Sequence, residues 1–402
     1  MITETPAATP KTHFEQQYQT YLKHLKLKGL QPKTIDTFSV GFLAQYRDKL
    51  SSGHMQALAA MRRCRTQASA KMQVRCTGCA HQTLVPHSCG LRHCPHCQHH
   101  ESQQWLELQL KRLVPAEYFL ITFTLPAELR PLAWAHQGVV YDLLLRCAWD
   151  TVRTFSQNDK QLQGTPGAIA VLPTSTRRLD YHPHAHFVVP AAALDAERKR
   201  WRTKRTQRRK QGKGGYLFNH KALAKVFRAK MLAGIEAAGL TLPCRTAKQW
   251  VVDCKSVDSG ASALIYLGRY LYRGVIQEKD IVACKDGQVT FRYRDAKTGK
   301  VERRTVPGAQ FLWLVLQHVL PKGFRRARNF GFLHPNCKRL IALLQVLPKF
   351  VPVRASDWIK PRAPILCTCC GAVMKIVRTR VAASLAGRLP IPLAVQGGQL
   401  IM

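Results

Sequence analysis

The chain has 402 residues, enough for two or three domains at about 150 residues each, and 46% of them are hydrophobic, as a globular core requires. Sixty-two Lys and Arg stand against 23 Asp and Glu, and the net charge of +39 points to a polyanionic partner, best a nucleic acid, whose binding gains from counterion release. No stretch reaches the roughly 18–20 apolar residues of a bilayer span and residues 1–13 hold no apolar signal core, so no membrane partner and a cytoplasmic location are expected, with the 14 cysteines read as metal-holding or buried thiols rather than disulfides.

Residues 14–63 repeat apolar positions at helical spacing and predict a helical lead-in, broken at Gly29, Pro32 and Ser51-Ser52-Gly53. A Cys- and His-rich region follows. Cys76-x-x-Cys79 is succeeded fourteen residues later by Cys94-x-x-Cys97, and two such knuckles can direct four thiolates at one tetrahedral Zn²⁺. Four thiolates leave no place for a reacting water, so this ion is structural. Cys89 and His93 between the pairs leave a swapped ligand or a second site open.

Further on, residues 118–125 predict a strand between Pro115 and Pro126, and a helical pattern runs to about Ser156. Residues 167–173 and 181–190 predict two strands, 221–238 a helix, 250–255 a strand, and Asp258 or Ser259 can cap a helix that runs through Tyr272 to Gly274. Two or three short strands are expected within 281–305, and helices over 311–320 and 336–347. Cys367-Thr-Cys369-Cys370-Gly371 offers one more knuckle with no obvious second pair nearby, and a loose Gly-rich tail ends the chain. This alternation implies a sheet covered by helices.

Asp180-Tyr-His182-Pro-His184-Ala-His186 carries the first chemical signal. Alternation on a strand puts Asp180, His182, His184 and His186 on one face, with Tyr181, Ala185 and Phe187 turned to the core. Neutral imidazoles two residues apart can converge on one divalent ion that polarises a phosphoryl oxygen. Tyr266 and Tyr270, one helical turn apart, share a face. A tyrosine hydroxyl can attack phosphorus and keep the energy of the broken phosphodiester in a phosphotyrosine bond. The basic run Arg198, Lys199, Arg200, Trp201, Arg202, Lys204, Arg205, Arg208, Arg209 and Lys210, joined by Arg269 and Arg273, suits a nucleic-acid backbone, with Trp201 as a stacking platform.

With these motifs in order, from Cys64-Arg-Thr through Ser88-Cys-Gly-Leu-Arg-His-Cys-Pro-His-Cys97, Phe123-Thr-Leu-Pro126, His182-Pro-His-Ala-His186 and Tyr266-Leu-Gly-Arg-Tyr270 to His318-Val-Leu-Pro-Lys-Gly-Phe324 and Asn329-Phe-Gly-Phe332, the chain resembles the rolling-circle, insertion-sequence-ninety-one-like transposases. These belong to the HUH endonuclease superfamily and carry an N-terminal zinc-binding domain. The resemblance implies an α+β fold: a mainly antiparallel sheet covered by helices, with the histidines on a central strand and the nucleophile on a nearby helix. It further implies that His184 and His186 bind Mg²⁺ or Mn²⁺, with His182 the first and Asp180 the second candidate for the third ligand. Tyr266 and Tyr270 would attack single-stranded DNA at mobile-element ends and in target DNA, each leaving a 5′-phosphotyrosine and a free 3′-hydroxyl.

The expected domains are a helical region over 1–63, a zinc-binding domain over 64–112, a catalytic domain over 113–332 and a C-terminal segment over 333–402. Two other functions fit parts of the pattern. A replication initiator or relaxase of the same superfamily shares the histidines and tyrosines, and a non-catalytic zinc-dependent nucleic-acid binder shares only the charge and cysteines.

Overall fold

The computed structural model describes residues 32–64, 66, 68–87, 89–91, 93–94, 101–195, 200–205, 215–257, 259–272, 275–295, 298–346 and 364–381. Two helices lead, α1 (Pro32–Tyr46) and α2 (Ser52–Arg63). Ser51 opens α2 with a capping box, its Oγ accepting from His54 N while His54 Nδ1 accepts from Ser51 N. The hairpin β1 (Lys71–Cys76) and β2 (Gln82–Pro86) follows, then α3 (Glu101–Leu110), β3 (Tyr118–Thr124), α4 (Arg130–Ala135) and α5 (Gln137–Asn158). Next come β4 (Thr165–Val171), β5 (His184–Pro190), β6 (Ala192–Asp195), β7 (Arg200–Thr203), α6 (His220–Ala237), β8 (Val252–Ser256) and α7 (Ala261–Tyr272). A meander of β9 (Ile281–Lys285), β10 (Gln288–Arg294) and β11 (Val301–Pro307) runs into α8 (Gly308–Leu316), β12 (Ala327–Gly331), α9 (Lys338–Val346) and β13 (Met374–Val381).

The fold is α+β, with a seven-stranded sheet ordered β7-β6-β4-β5-β3-β8 and β12 on β4. Every pairing in it is antiparallel, and β5 lies between β3 and β4. Alternation along β5 decides what each face meets. Ala185, Phe187 and Val189 join the core under α5 and α6, where Phe187 meets Phe123 edge-on at 5.6 Å. Burying each such ring contributes about 1.5–3 kcal/mol. Val188, on the opposite face, packs with Leu264 and Leu267 of α7, so one face is anchored by thick helices and the other receives the tyrosine-bearing helix.

The leading helices do not stand apart as a domain. Ile35, Phe42, Leu58 and Met61 share a core with Val289 and Phe291 of β10 and Phe311 of α8, so the body facing β5 is built from both early and late chain.

Several elements differ from the sequence reading. The histidine strand begins at His184 rather than at residue 181. Pro183 lacks an N–H for the ladder, and residues 180–183 instead follow the 173–176 segment through bonds from His182 N to Thr174 O at 2.7 Å and from His184 N to Pro173 O at 3.1 Å. Strands β12 and β13 lie where no strand was expected. Gly331, at φ +57°, brings β12 against β4 so closely that an added Cβ would sit 1.7 Å from Pro166 O and 2.9 Å from Trp149. Gly331→Ala is therefore expected to cost on the order of 3 kcal/mol, measured as a lowered urea midpoint; an unchanged midpoint would contradict this packing.

Candidate active site and metal centres

A cleft of about 640 Å³ lies between the open face of the large sheet and the β9–β11 meander. His182, His184 and Tyr266 line one side, and Phe291, Arg292, Tyr293 and Arg294 the other. The rings of His184 and His186 stand edge-on at 4.8 Å, and that of His182 is 5.3 Å from His184. Tyr266 meets His186 edge-on at 6.1 Å.

The three histidines are held in the neutral form, each lowered from its ordinary value by burial first. Burial pushes His184 down to about 4, and burial together with the neighbouring His184 pushes His186 down to about 3. His184 Nδ1 donates to His182 O at 2.7 Å, which leaves the lone pair on Nε2. Thr122, the cross-strand partner of His186, holds its Nδ1 at 2.9 Å. Such outer bonds fix ring orientation in metal sites. His182 Nδ1 is buried with no hydrogen-bond partner among the described residues, a donor atom that suits a ligand role. Asp180 is engaged elsewhere: its carboxylate accepts from Arg304 at 2.8 Å and from Thr176 at 3.4 Å. Asp180 is thus less available than the three imidazoles, whose ring nitrogens are not drawn together within 4.8 Å of one another in this structure.

The cysteines gather differently from the spacing argument. Cys76 and Cys79 converge with Cys367 and Cys370, and Cys94 is not part of that group. Cys76 Sγ lies 3.4 Å from Cys370 Sγ, Cys79 Sγ 3.7 Å from Cys367 Sγ, and Cys370 Sγ 3.6 Å from Cys79 Sγ. Sulfurs bound to one tetrahedral zinc at about 2.3 Å stand about 3.8 Å apart, so the quartet fits that ion. Each knuckle also aims a backbone N–H at its first sulfur, from Gly78 N to Cys76 and from Cys369 N to Cys367. Burial raises the Cys367 thiol, but the N–H groups of Cys370 and Cys369 with the neighbouring thiols bring it down to about 6. The physical reason for the exchange of partners is strand pairing: β13 lies antiparallel beside β1, with Cys76 opposite Met374. The loop carrying Cys367 and Cys370 is thereby carried to the first knuckle. Cys94 lies instead with Cys64 and Cys89, and Cys97 lies outside the described residues.

A family model described as "Putative transposase" matches residues 167–340, and one described as "Transposase zinc-binding domain" matches residues 14–125. A protein named "Putative transposase y4qJ" from Sinorhizobium fredii is 31% identical over 329 residues, covering 75% of this chain and 80% of that one. The chain belongs to the insertion-sequence-91-like transposase family. The "Transposase for insertion sequence element IS801" of Pseudomonas savastanoi pv. phaseolicola is 28% identical over 63% of each chain. Among solved structures, "Conjugative Relaxase TrwC in complex with mutant OriT Dna" aligns over 57% of this chain and 71% of that one, at 16% identity and a TM-score of 0.25.

In this transposase the basic run divides into two groups. Arg200 and Arg205 are exposed. Trp201 packs edge-on against Phe332 at 5.1 Å, within the core beside α7, and so does not stand out as a stacking platform. Lys204 pairs with Asp159 and donates to Leu217 O at 2.9 Å, and Arg202 bonds Gln163 at 2.8 Å and pairs with Asp195 at 3.5 Å. Both tie β7 to its neighbours. Arg198, Lys199, Arg208, Arg209, Lys210 and Arg273 lie outside the described residues, as do the side chains of Arg269 and Tyr270, although α7 carries both positions.

Two residues of the site escaped the sequence reading as functional groups. His318 Nε2 donates to Leu179 O at 3.1 Å, and its Nδ1 accepts from Thr174 Oγ1 at 3.1 Å. Gln317 Nε2 donates to the same carbonyl at 2.8 Å. Leu179 sits at φ +71°, one residue before the Asp180–His182 turn, so these two side chains brace the backbone that presents His182. Gln317 had no sequence signal beyond its polarity in an apolar helical run, and His318 entered only as the first residue of the His318–Phe324 motif.

Burial lowers His318 to about 4, against an ordinary 6.5. The unfolded chain takes up this proton near pH 6.5 and the folded chain only near 4, so stability falls as pH drops through that window. The difference is worth about 3 kcal/mol. His318→Gln is expected to flatten the acid limb of a melting-temperature profile between pH 6.5 and 4; an unaltered limb would refute the assignment.

Proposed function

We propose that this transposase nicks and rejoins single-stranded DNA by tyrosine transesterification, in a rolling-circle mode of transposition. The observation that carries this reading is Tyr266, held edge-on to His186 over the open face of the sheet and lining the same cleft as His182 and His184. The net charge of +39 supports a DNA partner.

In the proposed step the Tyr266 oxygen attacks a backbone phosphorus. A Tyr–O–P bond forms to the 5′ side as the tyrosine hydroxyl releases its proton to solvent, the P–O3′ bond breaks, and the departing 3′-oxygen takes up a proton from solvent to end as a hydroxyl. Mg²⁺ or Mn²⁺ held by His184, His186 and His182 would polarise the phosphoryl oxygen and offset its growing charge. Thr122 and the His182 carbonyl keep the two strand histidines turned toward that place. His318 and Gln317 keep the third in reach through Leu179. Tyr270, one turn further along α7, is the second proposed nucleophile, able to hold one strand while the other is joined.

The test is incubation of the full chain with labelled single-stranded element ends and Mn²⁺, followed by a denaturing gel. A protein adduct joined to the 5′ phosphate of the downstream fragment, which persists in either Tyr266→Phe or Tyr270→Phe and disappears in the double variant, is expected. Salt-sensitive binding with no adduct in the unaltered chain would favour the non-catalytic binder.

A further inference from the structure

The four-cysteine centre accounts for one zinc, yet three more thiols converge elsewhere in the molecule. The sulfurs of Cys64, Cys89 and Cys94 all lie within 4.8 Å of one another, with Cys94 Sγ 3.6 Å from Cys64 Sγ. That separation is far beyond a disulfide bond of about 2.05 Å and near the spacing of sulfurs that share a zinc, about 3.8 Å. Cys64 and Cys94 are almost wholly buried, and Cys89 is half-buried.

The three arrive from separate local structures. Cys64 caps the C-terminus of α2, whereas Cys89 and Cys94 bound a short stretch in which Cys94 N donates to Leu91 O at 3.2 Å. Buried cysteines often act only as small apolar side chains. Three of them meeting at one point, within reach of a single ion, go beyond that role.

We infer that Cys64, Cys89 and Cys94 hold a second zinc ion, distinct from the one at Cys76, Cys79, Cys367 and Cys370. The site joins α2 to the 89–94 stretch. Gly90, Leu91 and His93 of that stretch line a second cavity, of about 720 Å³, and His93 also lines the cleft of the histidines. The ion thus sets one wall of the cleft without touching the reacting groups. This inference is independent of the tyrosine chemistry.

Zinc content of the purified full chain tests it. Two zinc ions per chain are expected, falling to one in Cys370→Ser and to one in the Cys64→Ser/Cys94→Ser double variant. One ion in the unaltered chain, kept in the double variant and lost in Cys370→Ser, overturns the second site and leaves the first intact. One ion with the opposite pattern supports this site and rejects the four-cysteine centre.

Because Cys64 and Cys94 are core residues, the unaltered chain supplies a check that needs no substitution. After exchange of zinc for Co²⁺, the sulfur-to-cobalt absorption is expected to exceed that of one four-thiolate centre, with the three further thiolates contributing. Absorption matching four bonds overturns the proposal.

Discussion

His186→Ala is expected to lower metal-dependent cleavage of single-stranded DNA by on the order of 10³-fold while leaving salt-dependent DNA binding within about twofold. A metal acting on a phosphoryl oxygen contributes several kcal/mol to the transition state, and about 4 kcal/mol corresponds to that factor. The side chain sits on the central strand with its Nδ1 fixed by Thr122, and truncation removes the proposed ligand without opening the Phe187 core on the other face. Single-turnover cleavage with Mn²⁺ measures it, alongside a melting curve to establish that the variant folds. Cleavage within tenfold of the unaltered chain would remove His186 from the ligand set.

Cys370→Ser is expected to have the largest effect on structure. Among the described residues, only Val74, Cys76, Cys367 and Met374 are buried in the small core around the four thiols, and Lys375, Ile376, Val377, Arg378 and Thr379 of β13 are exposed. Burying Val74 and Met374 contributes about 1.5–3 kcal/mol each, which does not offset ordering residues 364–381 at about 1 kcal/mol or more per residue. Structural zinc binding, at about 10–16 kcal/mol, supplies the difference. The expected outcome is loss of one zinc per chain and rapid proteolysis within 364–381, with the large sheet still protected. Unchanged protection of that segment would mean that zinc does not hold it.

Elements whose residues are decided by local pattern were legible in the sequence. The β-branched and aromatic run of β3, the amphipathic α5 and the helical pattern of α6, expected over 221–238 and found over His220–Ala237, depend on neighbours along the chain. The alternation of β5 was readable for the same reason, and it placed His184 and His186 on the face opposite Phe187. What was not legible depends on distant partners. Cys76 and Cys79 had a nearer candidate pair at the right spacing, and only the β1–β13 ladder selects Cys367 and Cys370. Trp201 was read as exposed because its neighbours in sequence are basic, whereas Phe332 takes its ring. The bracing of Leu179 by Gln317 and His318 spans 138 and 139 residues, a separation at which no periodicity carries a signal.

The four-thiol centre also imposes an order on biosynthesis. Cys76 and Cys370 are separated by 294 residues, and at about 5–20 residues per second a ribosome needs roughly 15–60 s to travel between them. Throughout that interval the first two thiolates have emerged without the partners that complete their ion, while the histidine strand and α7 have already been made. The final closure of the molecule therefore awaits the last part of translation, and a truncated chain that still carries every residue of the cleft lacks the closed front end.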